Sequence, residues 1–272
     1  MYAEELRRAR RVVVKVGTSL VTHPNGRLHQ GRLEMLVRQL SDLHAAGLEP
    51  VLVTSGAVGA GIGRLGAEGR PASLTEKQAF AAVGQGLLMH SYEKLFAEYG
   101  VTVAQILLTR EDLEHPERRA NARATMQLLL EWRVLPIVNE NDTVTSEEIR
   151  VGDNDTLSAR VAVLVDADLL IILSDVDGLF PADPRSRPDL EVLSVVEELS
   201  EELWSAAGGA GTPGGTGGMR TKLEAAAICQ ERGIPMVIAS GHRQGVLTEI
   251  LSGEVPGTLF RWPHGTARRR GG

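Results

Sequence analysis

Cysteine is almost missing from this 272-residue chain: Cys229 stands alone. A disulfide within the chain is excluded, and a reducing, cytoplasmic setting fits. Cys229 falls in the apolar run LEAAAICQ, where it reads as a small buried hydrophobe rather than a nucleophile. Aromatic residues make up only 4%, too few for a base-stacking platform. No apolar run approaches the ~20 residues that span a bilayer. The start, MYAEELRRARRVVVKV, has no uninterrupted apolar stretch of the kind a secretory signal needs. The 7 histidines are scattered, and neither an HExxH motif nor a Cys/His cluster suggests zinc. A GxSxG elbow is missing too, so a serine triad has no support. The net charge of -6 gives no general affinity for nucleic acid or anionic membrane. An anionic ligand would need a locally basic site inside an acidic protein.

Glycine, in contrast, is plentiful, and it clusters. Gly208 to Lys222 reads GGAGTPGGTGGMRTK. The stretch carries no acid, ends in Arg220, Thr221 and Lys222, and runs into an alanine-rich helical pattern. Glycine lets backbone N–H groups turn toward a ligand, and a helix N-terminus adds donors and a positive dipole. The segment therefore reads as a phosphate cradle, with Gly208–Gly218 as a soft joint. It is not a Walker A loop, because Thr221 precedes Lys222 instead of following it. Gly59-Ala60-Gly61-Ile62-Gly63 fails the spacing of a dinucleotide fingerprint.

Short β-rich runs alternate with longer helical ones. Strands are predicted at Arg11–Val16, Pro50–Thr54, Val101–Leu107, Val134–Val138, Leu169–Leu173 and Pro235–Ala239. Helices are predicted at Gly31–Ala46, Thr75–Tyr99, Glu117–Trp132, Asn154–Val165 and from about Met219. The run SGAVGAGIG after the second strand reads as a glycine turn. Apolar short strands between helices signal a mainly parallel sheet covered on both faces. The expected class is α/β, a three-layer αβα sandwich. We expect one domain over residues 1–262, its N-terminal part holding one substrate and its C-terminal part the other, followed by a basic tail, 263–272.

Polar motifs follow four of the strands: Lys15-Val16-Gly17-Thr18-Ser19, Thr54-Ser55-Gly56-Ala57, Asn139-Glu140-Asn141-Asp142 and Ser174-Asp175. Ligands bind beyond the carboxyl ends of strands in open parallel sheets, so four such cases in succession point to a site. Lys15 interrupts a valine-rich strand, and a desolvated lysine is costly unless paired or functional. Val151-Gly152-Asp153-Asn154-Asp155 adds carboxylates around a glycine. Capping of the following helix accounts for one of those residues, not for the set.

VVVKVGTSL, LVTSGAVGAG, NENDTV, VGDNDTLSA, the ADPRS run and GTGGMRTK together resemble the amino-acid kinase family, in the family's order from about Arg11 to Phe260. NENDTV, VGDND and GGMRTK resemble its glutamate-phosphorylating members in particular. The resemblance implies transfer of the ATP γ-phosphate to the side-chain carboxylate of L-glutamate, on the route to proline, with Mg²⁺ held mainly by the ATP phosphates. It implies catalytic roles for Lys15, Asp155 and Lys222, with Asp155 orienting the lysines. Ser55, Asp142 and Asn154 match glutamate-binding positions, and Thr18, Gly56, Ala57 and Asn139 line the same pocket. Lys15, Gly17, Ser174, Asp175, Asp183 and the segment Thr216, Gly217, Gly218, Met219, Arg220, Thr221 and Lys222 match the nucleotide site. Arg220 occupies a variable position of its motif. Proline as a feedback inhibitor and a homo-oligomer, dimer or tetramer, are further implications. Many members carry an extra C-terminal PUA-type domain, and this chain resembles the short, kinase-only form. Two other readings stay open: a kinase of the same family acting on acetylglutamate or aspartate, and a non-catalytic sensor of glutamate or proline.

Overall fold

The structure is a computed structural model, and it describes residues 2–67, 69, 71–145, 154–181, 190–207 and 218–262. In chain order its first elements are α1 (Tyr2–Arg7), β1 (Arg11–Val16), α2 (Thr18–Val21), α3 (Gln30–Ala45), β2 (Glu49–Val53), α4 (Ala57–Leu65), α5 (Leu74–Ala97), β3 (Val103–Leu108), α6 (Arg110–Glu114), α7 (Pro116–Glu131) and β4 (Leu135–Glu140). There follow α8 (Asn154–Leu164), β5 (Leu169–Ser174), β6 (Val195–Val196), α9 (Glu201–Ala207), α10 (Met219–Gln230), β7 (Met236–Ser240), α11 (Val246–Leu251) and β8 (Gly257–Phe260). No helix among the described residues is long and apolar enough to cross a membrane.

The chain forms two compact units. One comprises Val16–Asn154, the other Met1–Lys15 with Asp155–Gly272. The chain therefore passes between units at two peptide bonds, Lys15–Val16 and Asn154–Asp155. In the first unit the strand order is β3-β4-β2, parallel throughout, with Leu52 opposite Ile137 and Ile106 opposite Val138. In the second it is β1-β5-β7-β8-β6. There β5 runs parallel to β7 and β6 to β8, and β7 and β8 are antiparallel.

The continuous apolar runs behave as expected of strands covered on both faces. Every residue of β4 and β5 is buried. The Asp168 carboxylate accepts from the Arg10 and Arg11 backbone N–H groups at 2.9 and 3.0 Å, which fixes the entry to β1. Cys229 is fully buried in α10; burial pushes its thiol up to about 12, which removes the thiolate a nucleophile needs.

One predicted element is corrected. SGAVGAGIG is not a turn: all but its first two residues lie in α4, for which Gly56, at φ 100°, is the N-cap. The glycines serve close packing. A Cβ at Gly61 would lie 1.9 Å from the Phe80 carbonyl oxygen, and one at Gly84 would lie 1.8 Å from that of Ala57. Glycine costs helix propensity in isolation, but here it allows two helix backbones to approach. Gly84→Ala is therefore expected to destabilise by about 1–3 kcal/mol, the usual cost of overpacking. Gly86→Ala, on the same helix with nothing within 4 Å, is expected to gain up to about 1 kcal/mol from propensity alone. Thermal melts of the pair, shifting in opposite directions, check this; a shared direction would refute it.

Candidate active site

Two clusters of polar side chains sit at strand and helix ends, one in each unit. In the unit containing β5, Asp155 stands in the first turn of α8 and is completely buried. Lys15, from β1, places Nζ 2.5 Å from Asp155 Oδ1. Lys222, from the first turn of α10, places Nζ 3.0 Å from Oδ2. The Thr221 hydroxyl lies 3.0 Å from the same Oδ2 and 2.8 Å from the Gly218 carbonyl oxygen. Both lysines are also buried, at 6% and 5% exposure. Lys15 is thus neither a stray charge nor a snorkelling one.

The electrostatics of this cluster are one-sided. Burial alone would raise the Asp155 carboxyl, but the Lys15 and Lys222 ammonium groups outweigh it and hold the pKa down to about 2. Asp155 is therefore ionised at neutral pH, and the three groups carry a net charge of +1 in a desolvated place. Buried charges are costly unless paired, and here each lysine is paired with Asp155. Ser174 closes β5 nearby in sequence to Asp175, donating to its carboxylate at 3.1 Å. Gly218 is the N-cap of α10, and Met219 and Arg220 open that helix. Arg220 is exposed and pairs with Glu224 at 3.2 Å, one turn on.

The other cluster is built on amides. The Asn154 amide nitrogen reaches three acceptors: the Thr54 carbonyl at 2.7 Å, Ser55 Oγ at 2.9 Å and Asn139 Oδ1 at 3.0 Å. Asn154 and Asp155 are neighbours in the chain, yet their side chains serve different clusters. Helix capping does not describe Asn154, which opens α8 and turns its side chain to the ends of β2 and β4. Gly56 and Ala57 start α4 directly after Ser55, and Gly17 and Thr18 start α2 directly after β1. Asp142 is mostly buried and lies 3.5 Å from Lys77 Nζ. Burial raises its carboxyl above the ordinary range, and Lys77 opposes that in part.

Helix α5 supplies residues that the motifs do not reveal. Gln78 donates to the Thr145 carbonyl at 3.1 Å, Gln85 accepts from Asn139 at 2.8 Å, and Tyr92 hydrogen-bonds to Thr54 at 2.8 Å. These three recur every seventh position, which puts them on one helical face. That polar stripe on a largely apolar helix was a readable signal. Lys77 joins them through Asp142. Asp183, Thr216 and Gly217 lie outside the described residues, as do 151–153 and most of the glycine stretch, 208–217.

Residues 10–240 match the model of the amino acid kinase family. The glutamate 5-kinase of Symbiobacterium thermophilum is 64% identical, over 94% of this chain and 98% of that relative. The glutamate 5-kinase of Clostridium tetani is 53% identical, over 94% and 96%. That of Moorella thermoacetica is 58% identical over 94% of this chain, which spans 68% of that longer relative. Among solved structures, UMP kinase from Bacillus anthracis superposes with a TM-score of 0.60 at 15% identity, covering 93% of this chain and 96% of that one. At that identity the likeness speaks to fold only, and the expected class holds: a mostly parallel sheet flanked by helices. The chain belongs to the amino acid kinase family.

Proposed function

We propose that the protein transfers the γ-phosphoryl group of ATP to the side-chain carboxylate of L-glutamate, forming L-glutamyl 5-phosphate, the first step toward proline. The observation that carries the reading is the buried Lys15–Asp155–Lys222 cluster, two lysines held by one carboxylate. The name borne by its relatives supplies the acceptor.

The chemistry suits these residues. A glutamate side chain has an ordinary pKa of ~4.3 and is already ionised at neutral pH, so no general base is required. A carboxylate oxygen attacks the γ-phosphorus, the bond to the β–γ bridging oxygen breaks, and ADP leaves with that electron pair. Phosphoryl transfer is catalysed mainly by positioning and charge stabilisation. Lys15 and Lys222 provide two fixed cations, and Asp155 sets their direction through charge-assisted hydrogen bonds. Ser174, Asp175 and the start of α10 hold the nucleotide. Ser55, Gly56, Ala57, Asn139, Asp142, Asn154 and Thr18 hold glutamate, with Asp142 and Asn154 facing its ammonium. Magnesium would be carried by the ATP phosphates and would offset their charge. One peptide bond, Asn154–Asp155, links the glutamate residues to the lysine cluster. Cytoplasmic location, a homo-oligomeric state and inhibition by proline belong to the same reading.

A coupled assay with ATP, Mg²⁺ and L-glutamate tests it, with hydroxylamine trapping the acyl phosphate. ADP release should depend on glutamate, exceed that with acetylglutamate or aspartate, and fall when proline is added. Release with another acid but not with glutamate would select the family alternative; no transfer to any acid would select the sensor.

Protonation of Asp142 gives a further expectation. Its carboxyl is raised, so its negative charge is lost as pH falls through a value above the ordinary one. If that charge holds the substrate ammonium, the glutamate KM rises on acidification in wild type. Asp142→Asn should raise the KM at neutral pH and remove this added pH dependence. Parallel pH profiles for wild type and variant would refute the assignment.

A further inference from the structure

Two polar atoms in the amide cluster are buried and make no hydrogen bond among the described residues: Gln85 Nε2 and Asn154 Oδ1. Their identities follow from the network. The Glu140 backbone N–H can only donate, and it donates to Asn139 Oδ1 at 2.9 Å. Asn139 therefore turns its Nδ2 to Gln85, which must present Oε1 to it, at 2.8 Å. The Gln85 amide nitrogen is left over as a donor. At the other end the Thr54 carbonyl can only accept, so Asn154 gives it Nδ2 and keeps Oδ1 as an acceptor. Rotating either amide would set donor against donor or acceptor against acceptor. A buried amide group left without a partner is destabilising. One such atom is a local defect. A donor and an acceptor flanking one asparagine fit a ligand that carries both an anionic oxygen and an ammonium.

We infer that Gln85 is a specificity-determining residue of the glutamate site, its Nε2–H donating to a carboxylate oxygen of the substrate while Asn154 Oδ1 accepts from the ammonium. This rests on the reading of the protein as a glutamate kinase. It assigns the middle of α5 a direct part in recognition, with Asn139 acting through Gln85 as a positioning residue. The fixed polarity also gives a basis for rejecting ligands. A group that offers only a donor to Gln85 leaves its N–H unpaired and adds a second conflict.

Gln85→Glu tests this with a small change in shape. One carboxylate oxygen keeps the bond from Asn139, and the other replaces the donor with a negative charge. The glutamate KM should rise at least about 10-fold to 100-fold, the range for a lost hydrogen bond to a charged group. The ATP KM should stay within about 2-fold. Binding can be read without turnover, as the rise in melting temperature caused by L-glutamate, which should shrink in the variant. Gln85→Met, similar in length and uncharged, is the second variant should Gln85→Glu fail to fold; its glutamate KM should rise about 10-fold. A glutamate KM within about 3-fold of wild type in the folded variants overturns the inference. So does an equal loss in the ATP and glutamate parameters, which marks a structural role. A wild-type chain that phosphorylates no glutamate refutes the functional reading itself; one that does, with both Gln85 variants unaffected, refutes this inference alone.

Discussion

Lys222→Met is expected to lower kcat by about 10²–10³-fold, as for loss of one preorganised charge-stabilising group. The methionine keeps most of the aliphatic stem, so the core around it stays filled. The charge balance also favours folding. Removing Lys222 leaves Lys15 and Asp155 2.5 Å apart as a neutral buried pair. The chain should therefore melt close to wild type while transfer is nearly lost. The cation's role should show mainly in kcat, because the charge it follows moves only as the γ-phosphoryl group is transferred. Single-turnover measurements at saturating ATP and glutamate, alongside thermal melts, check both halves. A kcat within about 5-fold of wild type would remove Lys222 from the chemistry, whatever its contribution to nucleotide binding.

Asp155→Asn should do the opposite to stability. It removes the carboxylate that Lys15 and Lys222 share and leaves two buried ammonium groups facing a neutral amide. Breaking a buried pair by removing one partner costs about 3–5 kcal/mol. In a chain of this size each kcal/mol moves the melting temperature by about 2–4 °C, so a fall of several degrees or more is expected. Phosphate or sulfate should recover more of that loss than chloride at equal ionic strength, because a polyvalent anion takes the place of the carboxylate charge. The effect has a pH signature. The Asp155 carboxyl is held at about 2 in the folded protein against an ordinary value of 3.8. Its stabilising contribution is full above the ordinary value and is lost as pH falls through the folded one. The gap between wild type and Asp155→Asn should therefore be constant near neutrality and narrow on acidification from about pH 4 toward 2. A variant that melts within about 2 °C of wild type at pH 7 would show that the lysines do not depend on Asp155.

Part of this site was readable from the chain. Lys15 inside VVVKVG was conspicuous because a charged residue in an apolar strand needs a reason. The strand-end motifs were readable because the carboxyl ends of parallel strands collect polar ligand groups. Asn154 was ambiguous, since an asparagine before a helix is as good a cap as a ligand. Its bonds go to Thr54 and Ser55, about 100 positions earlier in the chain, and no local pattern contains that pairing. Helix α4 was misread for a related reason. Three glycines at alternate positions lower helix propensity, and the compensation, close approach of Gly61 to α5 and of Gly63 to the Gly26 backbone, lies outside the segment. Gln78, Gln85 and Tyr92 are visible in the sequence as three polar residues at seven-residue spacing, but that spacing names no function until the strand ends they face are known.

The sequence by itself determined the alternation of strands and helices, the strand ends that carry chemistry, and the presence of two cations suited to polyphosphate. These follow from backbone periodicity and from the cost of burying charge, which act over a few residues. The resemblance pointed to Asp155, but only the tertiary structure brings that carboxylate to the lysines, across 67 positions in the case of Lys222, and sets which way each amide of the second cluster points. Those choices depend on donors and acceptors brought together by long-range packing. A hydrogen bond has a direction only once both of its partners are in place.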